Sequence, residues 1–99
     1  MDFCIIESSI EVVLTIFAYE LTEHCQRRLD EREIPLSWVE EVLFNPQRTE
    51  DHPIDPTLIC LYGVIPEARG LVLKVVYNFT TAPCRVVTVH FERRLRGKL

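Results

Sequence analysis

Residues 21–33 read LTEHCQRRLDERE and combine a histidine with several arginines at helical spacing. His24, Arg28 and Arg32 recur every four residues, so they share one stripe of a helix. The positive end of the helix dipole disfavours a protonated imidazole in the first turn, which suits His24 to general-base catalysis. Arg28 follows one turn later and could hold the oxyanion of a phosphodiester. Alternatively, His24 bonds a backbone carbonyl or a carboxylate and locks the helix to the sheet.

A second candidate group lies in the last predicted strand, RVVTVHF, at residues 85–91. Side chains alternate along a strand, so Thr88 and His90 share one face and the apolar residues take the other. Next to Arg93 and Arg94, this pair could line a cleft in which His90 is the base and Thr88 positions the substrate. The alternative is an ordinary exposed sheet face.

Lys74 and Asn78 share one face of the preceding predicted strand. Whether they meet Thr88 and His90 depends on the register of the hairpin. The turn at residues 80–83 does not fix that register, so both arrangements stay open.

Basic residues are concentrated at the C-terminal end of an acidic chain. The net charge is −4 overall, of which residues 85–99 contribute +4 and the remaining residues −8. The acidic total argues against non-specific coating of nucleic acid. The C-terminal segment could still bind an anion, and its candidate groups, together with Lys74, are Arg85, Arg93 and Arg94. The other interpretation is a solubilising tail.

The sequence predicts no metal or cofactor site. His24, His52 and His90 do not have the spacing of a metal-ligand motif, and three glycines leave no glycine-rich phosphate loop. The four cysteines form no Cys-x-x-Cys pair and no signal peptide precedes them, so we expect reduced thiols and a cytoplasmic location. No membrane span is expected, because acidic and polar residues interrupt the apolar N-terminal stretch.

Composition and pattern predict one folded domain over residues 1–99, with 47% hydrophobic and 26% charged residues. Periodicity and turn signals predict a strand at 10–19, helices at 22–33 and 36–44, a candidate short edge strand at 48–51, and strands at 58–65, 71–79 and 85–91. For the N-terminal segment a helix stays open as well, because Ile6, Ile10, Val13 and Phe17 also fit helical spacing. Thr22 is the predicted N-cap of the first helix, and Ser37 with Glu40 is a candidate capping box for the second.

Consecutive strands joined by short turns favour an antiparallel meander. The predicted fold is therefore α+β, with the order β-α-α-β-β-β and both helices packed on one face of a sheet of three to five antiparallel strands.

These motifs together resemble a known family. They are the helix start Thr22-Glu23-His24-x-x-x-Arg28, then Arg32-x-Ile34, the run Val39-Glu40-Glu41-Val42-Leu43-x-Asn45-Pro46, and the strand Arg85-Val86-Val87-Thr88-Val89. The pattern is similar to domain-of-unknown-function family 4258, which is grouped with the RelE-like, barnase-like and colicin-nuclease-like RNases. The resemblance covers about residues 12–94, which leaves 1–10 and 95–99 peripheral.

The resemblance implies a small prokaryotic protein of the RelE-like fold, such as the toxin of a toxin–antitoxin pair. Such toxins are metal-independent endoribonucleases that activate the ribose 2′-hydroxyl, and some cleave mRNA. By that analogy the catalytic residues are His24, Arg28, Thr88 and His90, with Arg85 as a second phosphate holder. The implied partners are RNA or a ribosome and an antitoxin protein, with no cofactor.

The sequence departs from the family pattern in its acidic charge and in carrying Glu33 where related sequences often have glycine. An acidic RNase must still attract a polyanion, so a non-catalytic interaction module or an inactive relative is the alternative function. Such a module could be a homodimer that pairs through an exposed strand or through the apolar N-terminal segment. A third alternative is an isolated domain that binds a small ligand.

Overall fold

The structure is a computed structural model that describes residues 19–99. This part of the chain forms five strands and two helices: β1 (Tyr19–Leu21), α1 (Glu23–Arg32), α2 (Leu36–Phe44), β2 (Arg48–Asp51), β3 (Leu58–Ile65), β4 (Leu71–Asn78) and β5 (Cys84–Phe91). Short 3-10 turns occupy Pro66–Ala68 and Arg93–Leu95. The fold is α+β, as predicted, but four strands follow the helices where the predicted order had three.

Helix α1 begins and ends at residues with a clear local cause. The Thr22 hydroxyl accepts a hydrogen bond from the backbone N–H of Cys25 at 3.1 Å, which is the predicted N-cap. Cys25 and Leu29 form its buried stripe. Leu21, four residues before Cys25, belongs to β1 and is not part of this stripe. The helix ends at Glu33, whose backbone is left-handed at φ 53°.

Helix α2 has the predicted bounds but not the predicted cap. Pro35 occupies the N-cap position and no side chain caps the helix, so the capping-box prediction for Ser37 is wrong. Pro35 has an extended backbone, and the helix begins one residue before Ser37, which is therefore already helical. Val39 and Val42 are the buried residues of the helix.

The strands form one sheet in the order β1-β5-β4-β3-β2. From β2 to β5 neighbouring strands are antiparallel, whereas β1 pairs with β5 in parallel, from Tyr19 opposite Cys84 to Leu21 opposite Val86. The prediction of a wholly antiparallel sheet is therefore wrong. No tight turn joins β1 to β5, so turn geometry places no restriction on their relative direction. Residues 10–18 of the strand predicted at 10–19 lie outside the described residues.

Both helices pack on one face of the sheet. The larger core cluster joins their buried side chains to inward residues of β3, β4 and β5 such as Leu61, Leu73 and Val89. At Gly63 an added Cβ would lie 2.9 Å from the Val42 Cγ2 atom, so the absence of a side chain lets α2 approach β3. Among residues 19–99, no helix is both long enough and apolar enough to cross a membrane.

We call the sheet face opposite the helices the far face. It carries a smaller buried cluster of Cys60, Tyr62, Val72 and Val76. Leu95, from the turn after β5, packs against this cluster at one end. Within residues 19–99 both helices pack on the opposite face, against the larger cluster.

Candidate functional site

The strand register lines up four side chains across the far face. Arg48 lies opposite Tyr62, Tyr62 opposite Lys74, and Lys74 opposite His90. Neighbouring strands are about 4.8 Å apart, so this cross-strand row spans about 14 Å. The register question left open by the sequence is answered here: Lys74 is the direct neighbour of His90, and Asn78 is the neighbour of Arg85.

Tyr62 lies between two cations in the cross-strand row. The Lys74 Nζ atom is 5.7 Å from the ring centroid and the Arg48 Cζ atom is 5.8 Å from it. Both positions are within the range of cation–π attraction. The Tyr62 hydroxyl donates to Glu50 at 3.4 Å, and burial, followed by the charges of Cys60 and Glu50, raises the pKa of Tyr62 to about 12. Tyr62 thus stays protonated and holds the two cations apart.

His90 is the titratable group of the row. Its side chain is 36% exposed, and its Nε2 atom lies 3.9 Å from Glu92 Oε2. Partial burial lowers the pKa of His90, and the positive charges of Lys74, Arg32 and Arg28 lower it further, whereas Glu92 opposes them. The imidazole is therefore neutral near pH 7 and able to accept a proton.

Arg28 belongs to α1, and its charge makes the smallest of the contributions that lower the pKa of His90. Thr88 shares the far face with His90 and lies opposite Val76. His24 is exposed one turn before Arg28, about 6 Å along the helix axis, and is not among the groups that shift the pKa of His90. The structure thus places Thr88 and His90 together on the far face of β5, and His24 and Arg28 on α1.

The arginines predicted to bind an anion do not lie together. Arg85 lies near the start of β5, whereas Arg93 and Arg94 lie in the 3-10 turn after β5. Arg85 forms an ion pair with Glu20 at 3.9 Å and lies five residues from His90, or about 16 Å along the strand. Arg94 donates to Glu92 at 3.2 Å, which lowers the pKa of the Glu92 carboxyl. Arg93 is exposed beside it. Arg85 is therefore too far away to hold the phosphate on which His90 would act.

Sequence reasoning missed Arg48, Tyr62 and Glu92 as members of the site. Arg48 lies in the strand that was only a candidate, and Tyr62 lies in a mostly apolar run that reads as core. The alternation of RTED and LICLYGVI could have placed both on one face, but only the register shows that they face Lys74 and His90.

A cavity of about 330 Å³ lies on the far face next to Lys74, the cross-strand neighbour of His90. Arg48, Glu50, Tyr62, Lys74 and Glu92 line it together with Arg94 and Leu95. Within residues 19–99, no group of three or more His, Cys, Asp or Glu side chains is arranged to hold a metal ion. The cavity offers cations that can hold an anion, next to a neutral base.

The fold is an α+β domain in which two helices cover one face of a mixed five-stranded sheet. The other face carries the row with basic side chains and is a candidate anion site. The family model described as a domain of unknown function, DUF4258, matches residues 21–91, and the chain belongs to that family. This confirms the family resemblance seen in the sequence. Searches of the curated proteins and of the solved structures found no match.

Proposed function

We propose that the protein is a metal-independent endoribonuclease that acts on RNA at the far face of its sheet. The observation that supports this most is the position of His90, a partly buried imidazole opposite Lys74 and within reach of the Arg28 and Arg32 charges. A neutral base beside fixed cations is what cleavage through a ribose 2′-hydroxyl needs.

In the proposed reaction His90 takes the proton of a ribose 2′-hydroxyl, and the 2′ oxygen attacks the adjacent phosphorus. The bond between phosphorus and the 5′ oxygen breaks, which leaves a 2′,3′-cyclic phosphate and a 5′-hydroxyl that receives its proton from water. Lys74 and Arg28 hold the non-bridging oxygens, on which negative charge increases in the transition state. Thr88 positions the ribose.

Local charge supports the proposal despite the net charge of −4. Arg28 and Arg32 of α1 join Lys74 of β4 near His90, and Arg94 comes from the C-terminal turn. Cations gathered in one region raise the local concentration of a polyanion even on an acidic protein. The family resemblance adds the setting: a RelE-like toxin that cleaves mRNA, free or on the ribosome, and is held inactive by an antitoxin protein.

Two carboxylates favour the second candidate function, a non-catalytic interaction module. Glu50 forms an ion pair with Arg48, and Glu92 forms one with Arg94, so both partly neutralise the cavity. Paired charges of this kind can equally recognise a polar protein surface.

The test is cleavage of a fluorescent single-stranded RNA, free and in the presence of ribosomes, with detection of the 2′,3′-cyclic phosphate. We expect His90→Ala to lower the rate by about 100-fold or more, since general-base catalysis contributes about 10²–10⁴-fold. Lys74→Gln should lower it by a smaller factor. His24→Ala separates the two candidate bases, because loss of activity there and not in His90→Ala would assign catalysis to His24.

Two controls make the test specific. His52→Asn is the matched histidine variant, because the Nδ1 atom of His52 only accepts loop hydrogen bonds from Ile54 and Asp55, which an asparagine oxygen can also accept. RNA with 2′-deoxyribose at the cleaved position should resist. Folded wild-type protein that cleaves neither free nor ribosome-bound RNA, and arrests no growth when expressed, would favour the interaction module.

A further inference from the structure

A cavity of about 680 Å³ lies between α2 and the end of β3, away from His90. We call it the edge groove. Its wall includes Trp38, Glu41, Gln47, Val64, Pro66 and Glu67. The proposed RNase mechanism uses none of these residues.

The floor of the edge groove is a stretch of sheet edge that lacks a strand partner. β2 pairs with β3 only from Ile59 to Tyr62, so the last three residues of β3 extend beyond it. The Gln47 backbone N–H donates to the Tyr62 carbonyl at 2.8 Å, and the Val64 N–H donates to the Gln47 side-chain Oε1 atom at 2.6 Å. The side chain of Gln47 therefore occupies the position where a neighbouring strand would pair.

Val64 presents both of its backbone groups to this edge. In an antiparallel ladder the N–H and C=O of one residue point to the same side, and the Val64 N–H points at Gln47 rather than at β4. An incoming extended chain could thus pair with Val64 once the amide of Gln47 moves aside. Exposed Gln47 can move without disturbing the core.

The walls of the edge groove carry one sign of charge. Glu41 from α2 and Glu67 from the turn after β3 are both exposed, and within residues 19–99 neither side chain forms an ion pair. Lysine and arginine are absent from the described lining. A concave surface with charge of one sign attracts the opposite charge. Trp38 and Pro66 are apolar residues of the same lining.

We propose that the edge groove binds a short, extended, basic peptide segment of a partner protein. The segment adds to the sheet edge by pairing with the backbone of Val64, and its lysine or arginine side chains reach Glu41 and Glu67. This site is separate from the far face and does not depend on the proposed RNase activity.

The test begins with a display library of random ten-residue linear peptides, selected on the full-length folded protein. Sequences that bind should be enriched in lysine and arginine and poor in proline at the pairing position. The strongest binder is then synthesised, and its affinity is measured by fluorescence anisotropy. Amide NMR spectra should show the largest shift at Val64 on binding, because that N–H exchanges a side-chain acceptor for a backbone one.

Substitutions separate the contribution of the two carboxylates to peptide binding from that of the pairing with the Val64 backbone. The double variant Glu41→Gln/Glu67→Gln should weaken peptide binding by about tenfold or more at low salt, because it removes both negative charges. The matched control Glu23→Gln/Glu31→Gln removes two exposed acids of α1 and should leave the affinity unchanged. Gln47→Ala should tighten binding severalfold, because it removes the group that competes for the Val64 N–H.

Three results would overturn the proposal: a library that yields no basic binder, a peptide affinity insensitive to Glu41→Gln/Glu67→Gln, or a Gln47→Ala variant that binds more weakly. Weaker binding in the last case would show that Gln47 is a contact and that the peptide does not pair with the edge. His90→Ala should bind the peptide as wild type does, so failure of the RNase proposal leaves this one testable.

Discussion

The two faces of the sheet are built from the same strands but differ in what their side chains contact. On the helix-covered face, inward residues such as Leu73, Val75 and Val89 are fully buried against α1 and α2. On the far face the buried cluster within residues 19–99 has four members, and the polar side chains of Lys74 and His90 lie opposite each other there. The covered face therefore carries most of the stability, which leaves the far face free to hold polar groups.

The largest effect that tests this comparison should come from leucines on opposite faces. Leu73→Ala removes a fully buried side chain under the helices and should lower the free energy of unfolding by about 2–5 kcal/mol. Leu58→Ala is the matched control, because Leu58 is partly buried against the far-face cluster. Leu58→Ala should lower the free energy of unfolding clearly less than Leu73→Ala does. Urea denaturation of both variants checks the difference, and equal costs would show that the two faces contribute alike.

A second test adds volume to the covered face. Gly63→Ala places a methyl group 2.9 Å from Val42 Cγ2 and should destabilise the fold by about 1–3 kcal/mol. In a Val42→Ala background the methyl has room, so the cost of Gly63→Ala should fall. A double-mutant cycle measured by urea denaturation gives the coupling. Additive costs would mean that α2 shifts freely over β3.

A third test concerns the end of α1, in the layer that covers the sheet. Glu33 has a left-handed backbone at φ 53°, which costs energy for any residue with a Cβ atom. Glu33→Gly should raise the free energy of unfolding by about 0.5–1 kcal/mol, after the greater freedom of glycine in the unfolded chain is offset. Glu31→Gly, inside the same helix, should instead destabilise by about 1 kcal/mol. Thermal unfolding of both variants should show that Glu33→Gly stabilises the protein and that Glu31→Gly destabilises it.

The smallest effect on stability should come from the far face, at His90. Burial and the Lys74 charge hold the pKa of His90 below 6.5. Between that lowered pKa and 6.5 the unfolded chain binds more protons than the folded chain, so the free energy of unfolding falls as the pH drops through this window. An NMR titration of the His90 ring should show the lowered pKa directly.

Substitutions of the neighbours of His90 sharpen that titration. Lys74→Met should raise the pKa of His90, because it removes a positive charge, and Glu92→Gln should lower it further. Arg85→Gln is the distant control and should leave the titration in place. A His90 pKa that ignores Lys74 would contradict the cross-strand row as an electrostatic unit.

Much of the fold was predictable because its causes are local. The Thr22 cap, the Cys25 and Leu29 stripe and the bounds of α2 follow from residues within a few positions of each other. The Ser37 capping box was wrong although its spacing fits, because Pro35 takes the N-cap position and the helix already begins at Leu36. The direction of β1 could not be predicted, since its partner strand lies more than sixty residues away.

The sequence predicted what kind of residues the candidate site holds, but not all of the residues that belong to it. The alternation of RVVTVHF places Thr88 and His90 on one face, as expected. Their catalytic roles, and that of His24, stay predictions. The prediction that the apolar residues of RVVTVHF all take the other face is wrong for Val87, which packs against the far-face cluster because the pairing with β4 shifts register between Val76 and Tyr77. Arg48 and Tyr62 could not be recognised, because only the pairing of β2 with β3 and β3 with β4 brings them into line with Lys74.

The sequence by itself determined the helices, most strands, the α+β class and the DUF4258 family, because periodicity, caps and family motifs are written in neighbouring residues. Only the tertiary structure decided the parallel pairing of β1, the row from Arg48 to His90 and the free edge at Val64. These features depend on strand register and on contacts between distant segments. Register is a property of two strands at once, so no single stretch of sequence specifies it.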